Sequence, residues 1–541
     1  MALLAGFGVL RSTENQPAAD PIRFRNVAQA AGVHFILDNS PTPNKHMIET
    51  MPGGIATLDY NNDGLTDIFF TNGAKLPSLK KEEPRFYNRL FRNDGGMKFT
   101  DVTLEAGVKG EGYSQGAAVG DFDNDGWVDI FVAGVYANIL YRNLGNGKFE
   151  DVTSKAGIHS KLWAVAPGFF DYDNDGDLDL WVSNYSKWDL DYDPVCGDPV
   201  RHLRVYCHPK YYEPLPNTLF RNNGDGTFTD VTEEAGLAEH PGRGMSVGFL
   251  DYDGDGFTDV FITNDNLPNF LFHNNGDGTF SEEGLWAGVA LLDHGKPLAS
   301  MGTDVRDYDN DGHADIIVTA LAGETFPLFR NRGDGSFEDV TYRSGMAAAS
   351  VERSGWGLGF VDFNNDGWKD FFSANSHAND RIEMFEATRY RQPNSIIVNV
   401  GGKFRNVSAD AGPDFQKPGN HRGNAFADFN GDGKIDIVVS RLGEPAELWE
   451  NISPTENHWI ILRLEGTKSN RDGIGAVVRI GKQWNVMNTA VGYASASYYG
   501  VHFGLGKMER IPEIEILWPS GTVQKLTGVA ADQLLAVKEP E

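Results

Sequence analysis

An acidic nonapeptide of the form Asp-x-Asp/Asn-x-Asp-Gly-x-x-Asp occurs seven times in the 541 residues of the chain. The first copy reads Asp59-Tyr-Asn-Asn-Asp-Gly-Leu-Thr-Asp67, and a short apolar stretch follows it directly. Three or four carboxylates within nine residues repel one another unless a cation lies between them. Oxygen ligands at alternate positions are typical of calcium sites. The motif therefore predicts bound Ca²⁺, about seven ions with one in each copy.

Each position of the nonapeptide has a distinct predicted role. Positions 1, 3, 5 and 9 supply side-chain oxygens, position 7 supplies its backbone carbonyl, and the Gly at position 6 permits the sharp turn around an ion. No copy carries the Glu that an EF-hand has at its twelfth position, so these loops are not EF-hands. The predicted metal-binding residues are Asp59, Asn61, Asp63, Leu65 and Asp67; Asp121, Asp123, Asp125, Trp127 and Asp129; Asp171, Asp173, Asp175, Asp177 and Asp179; Asp251, Asp253, Asp255, Phe257 and Asp259; Asp307, Asp309, Asp311, His313 and Asp315; Asp362, Asn364, Asp366, Trp368 and Asp370; and Asp428, Asn430, Asp432, Lys434 and Asp436.

The overall charge argues against a nucleic-acid partner, and the distribution of apolar residues argues against a membrane-spanning helix. The formal net charge is -29, whereas a protein that binds nucleic acid needs positive charge to neutralise phosphates. No apolar stretch approaches the roughly 20 residues that a membrane-spanning helix requires. We therefore expect no nucleic-acid partner and no transmembrane segment.

The acidic loops lie within longer repeats that predict the fold. A Gly-rich strand precedes each loop, an apolar strand follows it, and a third strand such as Leu219-Phe-Arg-Asn222 comes next. A turn of Gly, Asn and Asp then leads to a fourth strand such as Phe228-Thr-Asp-Val-Thr232. Four short strands per repeat are typical of a propeller blade. The sequence thus predicts an all-β protein with a seven-bladed β-propeller over residues 22–455.

The N-terminal end of the propeller predicts how the ring closes. The segment Phe24-Arg-Asn-Val-Ala-Gln-Ala-Ala-Gly32 matches the fourth-strand signature Phe149-Glu-Asp-Val-Thr-Ser-Lys-Ala-Gly157, yet it precedes the first acidic loop. The seventh repeat lacks such a strand. We therefore expect the N-terminal strand to complete the last blade, because closure would remove the exposed sheet edges.

The two ends of the chain differ from the repeats. Residues 456–541 alternate strands and turns, which predicts a small C-terminal β domain. The apolar residues within 1–21 resemble the hydrophobic part of a signal peptide, but no Lys or Arg precedes them. Two readings of this N-terminal segment stay open, a remnant of an export signal and a disordered start.

The two cysteines of the chain, Cys196 and Cys207, lie in one predicted insertion. An isolated pair in one loop favours a disulfide, because tetrahedral zinc would need further Cys or His ligands. Numerous calcium sites suit a compartment with millimolar calcium. Both features favour an extracytoplasmic protein, whether secreted, periplasmic or on the cell surface.

The longest insertions are predicted to lie on the face opposite the acidic loops, at residues 72–88, 184–216 and 375–393. The middle insertion is rich in Tyr and Trp, which suits a sugar or peptide ligand, and insertions on one face of a repeat protein often form its binding face. The alternative is that these loops plug the central channel. His208, His377 and His421 are weak candidates for acid–base chemistry beside Arg422 and Asp265. Because histidines at blade ends are commonly turn caps or hydrogen-bonded fillers, we assign no catalytic residue.

Several motifs resemble a known family. The repeats are similar to the FG-GAP or VCBS calcium-binding repeats of integrin α-subunit propellers. The C-terminal segment resembles the ASPIC/UnbV domain at Asn470-Arg-Asp-Gly-Ile-Gly-Ala476, Gly492-Tyr493, His502-Phe-Gly-Leu-Gly506 and Trp518-Pro-Ser-Gly521. Residues 22–541 together resemble the cartilage acidic protein family in a bacterial-type form. That resemblance implies a secreted or cell-surface calcium-binding protein.

Two functions of different classes fit these features. The first is a calcium-binding adhesion or ligand-binding module for glycans, matrix or surface proteins, without catalysis and as a monomer. The alternative is a calcium-dependent polysaccharide lyase or hydrolase with its site in the propeller funnel.

Overall fold

The computed structural model describes residues 21–292 and 294–541. Apart from residue 21, the predicted signal remnant or disordered start lies outside these residues. As predicted, the described chain is all-β, with only short helical turns. None of its helices is long and apolar enough to cross a membrane.

Seven sheets, each with four antiparallel strands at its core, follow one another along the described residues. Each has an acidic loop between its first and second strands. In chain order, the sheets comprise Ile55–Leu58, Asp67–Phe70, Arg89–Asn93 and Phe99–Asp101; Tyr113–Gly120, Asp129–Val135, Ile139–Asn143 and Phe149–Asp151; Ala164–Phe170, Asp179–Asn184, Thr218–Asn222 and Phe228–Asp230; Gly244–Leu250, Asp259–Leu267, Phe270–Asn274 and Phe280–Glu282; Thr303–Arg306, Asp315–Val318, Leu328–Asn331 and Phe337–Asp339; Gly355–Val361, Asp370–Asn375, Ser395–Asn399 and Phe404–Asn406; and His421–Ala427, Asp436–Arg441, Glu447–Asn451 and Phe24–Asn26.

The last sheet takes its outer strand from the other end of the chain. Phe24 pairs with Asn451, and Asn26 pairs with Trp449. Phe24 is buried, and its ring lies 5.3 Å from that of Phe363 and 5.8 Å from that of Phe415. The N-terminal strand therefore supplies both backbone pairing and apolar contacts to the seventh sheet.

Neighbouring sheets pack face to face through apolar side chains. Between the third and fourth sheets, the Phe170 and Phe249 rings stack 4.5 Å apart, and Trp181 is fully buried beside them. The first strand of each sheet contacts the first strand of the next, and that of the seventh contacts that of the first. Alternating glycines on these strands allow the close approach, since a Cβ on Gly116 would lie only 2.1 Å from the carbonyl oxygen of Val165.

The C-terminal residues form two further sheets. One comprises Val501–Gly506, His458–Glu465 and Gln533–Lys538, and the other comprises Gln483–Val486, Val477–Ile480, Arg510–Leu517 and Val523–Ala530. These strands do not stand apart from the seven repeats. Ile460, Val478 and Trp518 share one apolar cluster with Phe122 and Phe169 of the second and third repeats.

A loop of the C-terminal region enters the middle of the repeats. Ala496–Ser497 forms a short strand that pairs in parallel with Ile55–Leu58. Gly492 exchanges backbone hydrogen bonds with Thr303, and the Tyr493 hydroxyl donates to the carbonyl of Met51 at 2.7 Å. Tyr493 is fully buried, 4.9 Å from the Trp356 ring. The loop thus joins the first, fourth, fifth and sixth repeats, since Ser246 also donates to the Gly492 carbonyl.

The remaining elements are short. The insertion at 184–216 contains a hairpin of Cys196–Asp198 and Leu203–Val205, and Leu298–Ala299 pairs with the second strand of the fourth sheet. The helical turns are Ala28–Ala31, Met47–Thr50, Pro84–Phe86, Thr103–Ala106, Pro209–Tyr211, Leu237–Glu239, Gly284–Ala287, Met346–Ser350, Ile382–Met384 and Ser408–Asp410.

Candidate ion-binding loops and aromatic groove

All seven acidic loops share one set of backbone hydrogen bonds. In the first loop, the Asp59 carboxylate accepts from the N–H groups of Asp63 and Gly64, and Asp63 accepts from Leu65. The same bonds recur at positions 1 and 5 of the six other loops. These bonds wrap the backbone around the carboxylates and turn their remaining oxygens toward a common centre.

The carboxylates converge closely enough to share a cation. In the second, third, fourth and fifth loops, oxygens of three Asp side chains lie within 4.8 Å of one another. One oxygen of Asp123, of Asp173 and of Asp309 is enclosed and has no hydrogen-bond partner. A buried anionic oxygen without a partner is costly, and a hard cation would satisfy it. The residues present therefore fit calcium.

Burial perturbs the titration of these carboxylates. It raises the pKa of Asp67 to about 8 and that of Asp171 to about 7. The pKa of Asp121 rises to about 8, because of burial and because of the neighbouring Asp472 charge. Without a cation, the cluster thus favours the protonated form at positions that a cation would hold ionised.

An Asn at the end of each third strand connects the acidic loops, and we did not predict this role from the sequence. In the first repeat, the Asn93 N–H donates to Asp67, and its side chain donates to the carbonyl of Phe429 in the seventh loop. Each equivalent side chain donates to the position-2 carbonyl of the preceding loop. The equivalent residues are Asn143, Asn222, Asn274, Asn331, Asn399 and Asn451.

The sequence does contain a signal for this Asn relay, because the third strands end in a recurrent Asn. The hydrogen-bond partner of this Asn lies in a neighbouring repeat. The sequence pattern of a single repeat does not show which repeats are neighbours in space.

The C-terminal sheets cover part of the acidic-loop face. Arg463 lies 3.3 Å from the Asp59 carboxylate, and Asp472 accepts from the Asp121 N–H at 2.7 Å. The Trp459 ring packs over Gly433 of the seventh loop. A Cβ on Gly433 would lie only 1.8 Å from that ring, so the contact requires glycine. The fourth and fifth loops instead border a cavity of about 490 Å³ beneath the C-terminal strands.

The predicted disulfide is confirmed. Cys196 and Cys207 are bonded across 11 residues, with their Cα atoms 5.3 Å apart. The bond closes the tip of the insertion at 184–216. Arg204 from that tip donates to the carbonyl of Asn44, so the insertion also rests on the segment before the first sheet.

The insertion at 184–216 forms one wall of an open cleft of about 440 Å³, here called the aromatic groove. Tyr136 and Trp188 stack within it, with ring centroids 6.3 Å apart. Tyr192 and Tyr211 are 85% and 57% exposed, and the Lys210 ammonium lies 5.3 Å from the centroid of the Tyr211 ring. Its aromatic lining residues are Tyr136, Trp163, Trp188, Tyr192, Tyr211 and Tyr212.

A buried polar cluster supports the groove from below. His46 Nδ1 lies 2.5 Å from Asp193, which also accepts from the Tyr212 hydroxyl at 2.9 Å. Tyr206 donates to Glu49 at 3.1 Å. We did not predict His46 or Glu49 from the sequence, because they lie outside the repeats and meet the insertion only in three dimensions.

The three candidate histidines are engaged in local structure. The rings of His208 and His377 accept from the backbone N–H groups of Lys210 and Asn379, as turn caps do. Burial and the nearby Arg422 lower the pKa of His377 to about 4. His421 is fully buried between the carbonyl of Asn375 and the Glu447 carboxylate. No hydrogen bond or ion pair joins any two of the three within the described residues.

Solved structures resemble the chain only loosely. An Agrocybe aegerita lectin that recognises non-reducing terminal N-acetylglucosamine aligns with 73% of this chain and 87% of its own, at 16% identity and a TM-score of 0.37. The rhamnogalacturonan lyase YesW aligns with 75% of this chain and 72% of its own, at 13% identity and a TM-score of 0.36.

Curated relatives resemble the chain in sequence. Cartilage acidic protein 1 of Homo sapiens is 26% identical over 338 residues, which cover 60% of this chain and 48% of the relative. The Mus musculus protein is 26% identical over the same length and is covered to 49%. The chain spans about half the length of the curated relatives that it matches.

Two sequence families account for most of the chain. FG-GAP-like repeats match residues 59–132, 121–182, 211–262, 251–318, 307–373 and 362–439. The ASPIC and UnbV family matches residues 466–541. Each repeat match extends through at least one acidic loop, so the resemblance rests on the residues described above. The chain belongs to the FG-GAP-like repeat family and carries a C-terminal ASPIC and UnbV domain, as its homology to cartilage acidic protein 1 also indicates.

Proposed function

We propose that the chain is an exported, calcium-stabilised β-propeller of seven blades that binds glycans. In this proposal, residues 22–455 form the propeller and residues 456–541 form the domain that covers its acidic-loop face. The protein acts as a ligand-binding or adhesion module, as a monomer.

The observation that carries the calcium assignment is the repeated loop geometry. The same backbone bonds hold the first and fifth carboxylates in all seven loops. One carboxylate oxygen of Asp123, of Asp173 and of Asp309 is enclosed and has no hydrogen-bond partner, so a cation would satisfy it. Bound Ca²⁺ would supply charge neutralisation, and positions 1, 3, 5, 7 and 9 of each loop would hold it.

Closure of the ring is supported by two independent sets of contacts. First strands touch in sequence from the first sheet to the seventh and back to the first. The Asn relay runs through the same seven sheets, and its link from Asn93 to Phe429 joins the ends. Seven blades closed in this way would leave no strand edge exposed at the junction.

The aromatic groove supports the choice of a glycan as ligand. Sugar rings present apolar C–H faces that pack on aromatic rings, and their hydroxyl groups hydrogen-bond to polar groups at the rim. Tyr192 and Tyr211 offer such rings, while Lys161, Asp189 and Glu213 lie along the same cleft. Both signs of charge border the groove, which suits a neutral oligosaccharide better than a strongly anionic one.

Export is supported by the disulfide, because structural disulfides persist mainly in oxidising compartments. The bond between Cys196 and Cys207 lies in the wall of the groove, where it would hold the aromatic side chains in place.

Glycan-array binding with immobilised polysaccharides tests the proposal. Wild-type protein in calcium should bind at least one neutral oligosaccharide, and the double variant Tyr192→Ala/Tyr211→Ala should lose at least about tenfold in affinity because two exposed stacking surfaces are gone. Tyr342→Ala is the matched control, since Tyr342 is 80% exposed but lies in the fifth repeat outside the groove. Equal losses in both variants, or no binding to any glycan, would argue against the groove as the ligand site.

One observation favours the enzymatic alternative. Tyr212 and Asp193 line the groove, buried His46 lies behind them in contact with Asp193, and a His–carboxylate pair can transfer protons. A calcium-dependent lyase or hydrolase would release product from a bound polysaccharide. The same array assayed for shortened chains separates this function from binding, and His46→Gln should abolish turnover while leaving binding intact.

A further inference from the structure

The fourth acidic loop differs from most of the others at two positions, of which the Gly at position 4 is shared with the seventh loop. Gly254 stands at position 4, where the first, second, third, fifth and sixth loops have Asn. In those loops the Asn side chain donates to the Gly carbonyl at position 6 of the following loop, as Asn124 does to Gly176. The fourth loop therefore makes no such bridge to the fifth. His273 is the second difference, because Arg occupies its place on the third strand in four repeats, as Arg92, Arg142, Arg221 and Arg330.

Two of these arginines are counter-charges to the carboxylates of their own loops. Arg142 lies 2.5 Å from Asp123 and 2.9 Å from Asp125, and Arg330 lies 2.6 Å from Asp309. A guanidinium has only donors and no lone pair for a metal. At these positions the third strand can balance the loop charge but cannot ligate an ion.

His273 places a potential metal ligand at the same point. Its Nδ1 lies 3.3 Å from an Asp259 oxygen and 3.6 Å from an Asp253 oxygen. That nitrogen is enclosed and makes no hydrogen bond. The three ligand atoms lie within 4.8 Å of one another.

The separations match those between ligands on one small ion. Zinc binds His nitrogen and carboxylate oxygen at about 2.0–2.2 Å, so two ligands at a tetrahedral angle lie about 3.4 Å apart. Imidazole is a favoured ligand of zinc and other transition metals, whereas calcium selects oxygen. We propose that the fourth loop binds a transition-metal ion of the zinc type through Asp253, Asp259 and His273. In the fourth loop this ion takes the place of calcium, and the other six loops stay calcium sites.

The surroundings give the ion access and a place for a further ligand. Asp253 borders the cavity of about 490 Å³ between the fourth and fifth loops and the C-terminal strands. Gly254 and His313 also line it, so the cavity opens where the Asn bridge is missing. Three protein ligands with an open position are typical of zinc sites that bind water or an exogenous group.

Metal analysis of the full chain tests the proposal. Protein dialysed against micromolar Zn²⁺ in millimolar Ca²⁺ should retain one zinc ion per chain, measured by atomic emission. His273→Arg installs the residue that four other repeats carry and should lose that ion, with at least a 100-fold fall in zinc affinity. His313→Ala removes an exposed histidine of the adjacent loop and should keep it. Calcium content measured in the same samples reports on the six other loops separately, so failure of the calcium proposal is distinguishable.

A spectroscopic measurement on a second variant distinguishes loss of the metal ligand from misfolding of the arginine variant. Co²⁺ bound at low coordination number with a nitrogen ligand should show visible absorption in the wild type, and His273→Gln should lose it while melting like the wild type in calcium alone. Wild-type protein that retains no zinc in excess calcium, or a His273→Arg or His273→Gln variant that retains one zinc, would overturn the proposal.

Discussion

The side chain of Asn93 donates to the backbone carbonyl of Phe429 at 3.0 Å, although the two residues are 336 positions apart in the chain. Asn93 also donates to the carbonyl of Thr66 and through its backbone to Asp67. One buried amide therefore ties the first acidic loop to the seventh. Six equivalent Asn residues make the corresponding links between the other neighbours.

Asn93→Leu should destabilise the protein. The substitution leaves two buried carbonyls without a donor, at roughly 1–3 kcal/mol for each unsatisfied group. Urea unfolding should show the loss, and Asn62→Ala serves as the control because Asn62 makes an exposed link between the first and second loops. If Asn93→Leu unfolded at the same urea concentration as Asn62→Ala, the relay would contribute nothing to stability.

Calcium-free protein should become less stable as the pH rises. Burial raises the pKa of Asp67 and Asp259 to about 8 and that of Asp171 to about 7, against about 3.9 in an unfolded chain. The folded state thus keeps protons that the unfolded state has lost, so the free energy of unfolding falls between pH 4 and pH 8. Saturating calcium should abolish the fall, because it holds the carboxylates ionised in the folded state.

Thermal melting at pH 5 and pH 8 measures this effect. In chelator, the melting temperature should be more than about 5 °C lower at pH 8 than at pH 5, because the free energy of unfolding falls by several kcal/mol between these pH values. Asp311→Ala should reduce the stabilisation by calcium through the fifth loop alone. Identical melting temperatures with calcium and with chelator at pH 8 would contradict a link between ion binding and folding.

The repeats made much of this architecture predictable. Four strands per repeat, the acidic hairpins and the pairing partner of Phe24 follow from patterns that recur and can be aligned within one sequence. The insertion of Tyr493 into the middle of the repeats could not be predicted, because it occurs once and its partners Met51 and Trp356 are far away in the chain. The same holds for His46 and Asp193, whose contact depends on how two unrelated loops meet.

Reduction of the disulfide should affect ligand binding more than global stability. Closing a loop of 11 residues between Cys196 and Cys207 stabilises the folded state by about 3 kcal/mol in the loop-entropy model. That stabilisation applies to the insertion, which can loosen without opening a sheet. Cys196→Ser/Cys207→Ser should therefore bind glycans more weakly while its melting temperature changes little. A large loss of melting temperature with binding unchanged would reverse this assignment.

Removal of the N-terminal strand should expose the seventh sheet. Deletion of residues 1–32 removes the pairing of Phe24–Asn26 with Glu447–Asn451 and the buried Phe24 ring. An unpaired strand edge promotes association with other chains. Sedimentation should show oligomers for this truncation and a monomer for deletion of residues 1–15. If both truncations were monomeric with equal melting temperatures, the strand would not be needed to complete the sheet.

Substitution of Tyr493 should separate packing from hydrogen bonding. Tyr493→Phe loses the bond to the Met51 carbonyl and should cost about 1–3 kcal/mol, whereas Tyr493→Ala also opens a cavity and should cost about 3–5 kcal/mol. Urea unfolding of both variants measures the difference, with exposed Tyr342→Phe as the control. A neutral Tyr493→Ala would show that the loop is dispensable for folding of the repeats.

The pairing of Phe24–Asn26 with the seventh sheet also constrains how the protein is made. Arg25 and its partner Glu450 are separated by 425 residues, which a ribosome translates in roughly 20–85 s. During that interval the first strand has no partner, and the sheet that needs it does not yet exist. Contacts of such long sequence separation slow folding. Strand exchange between neighbouring nascent chains is consequently a misfolding route that this topology opens.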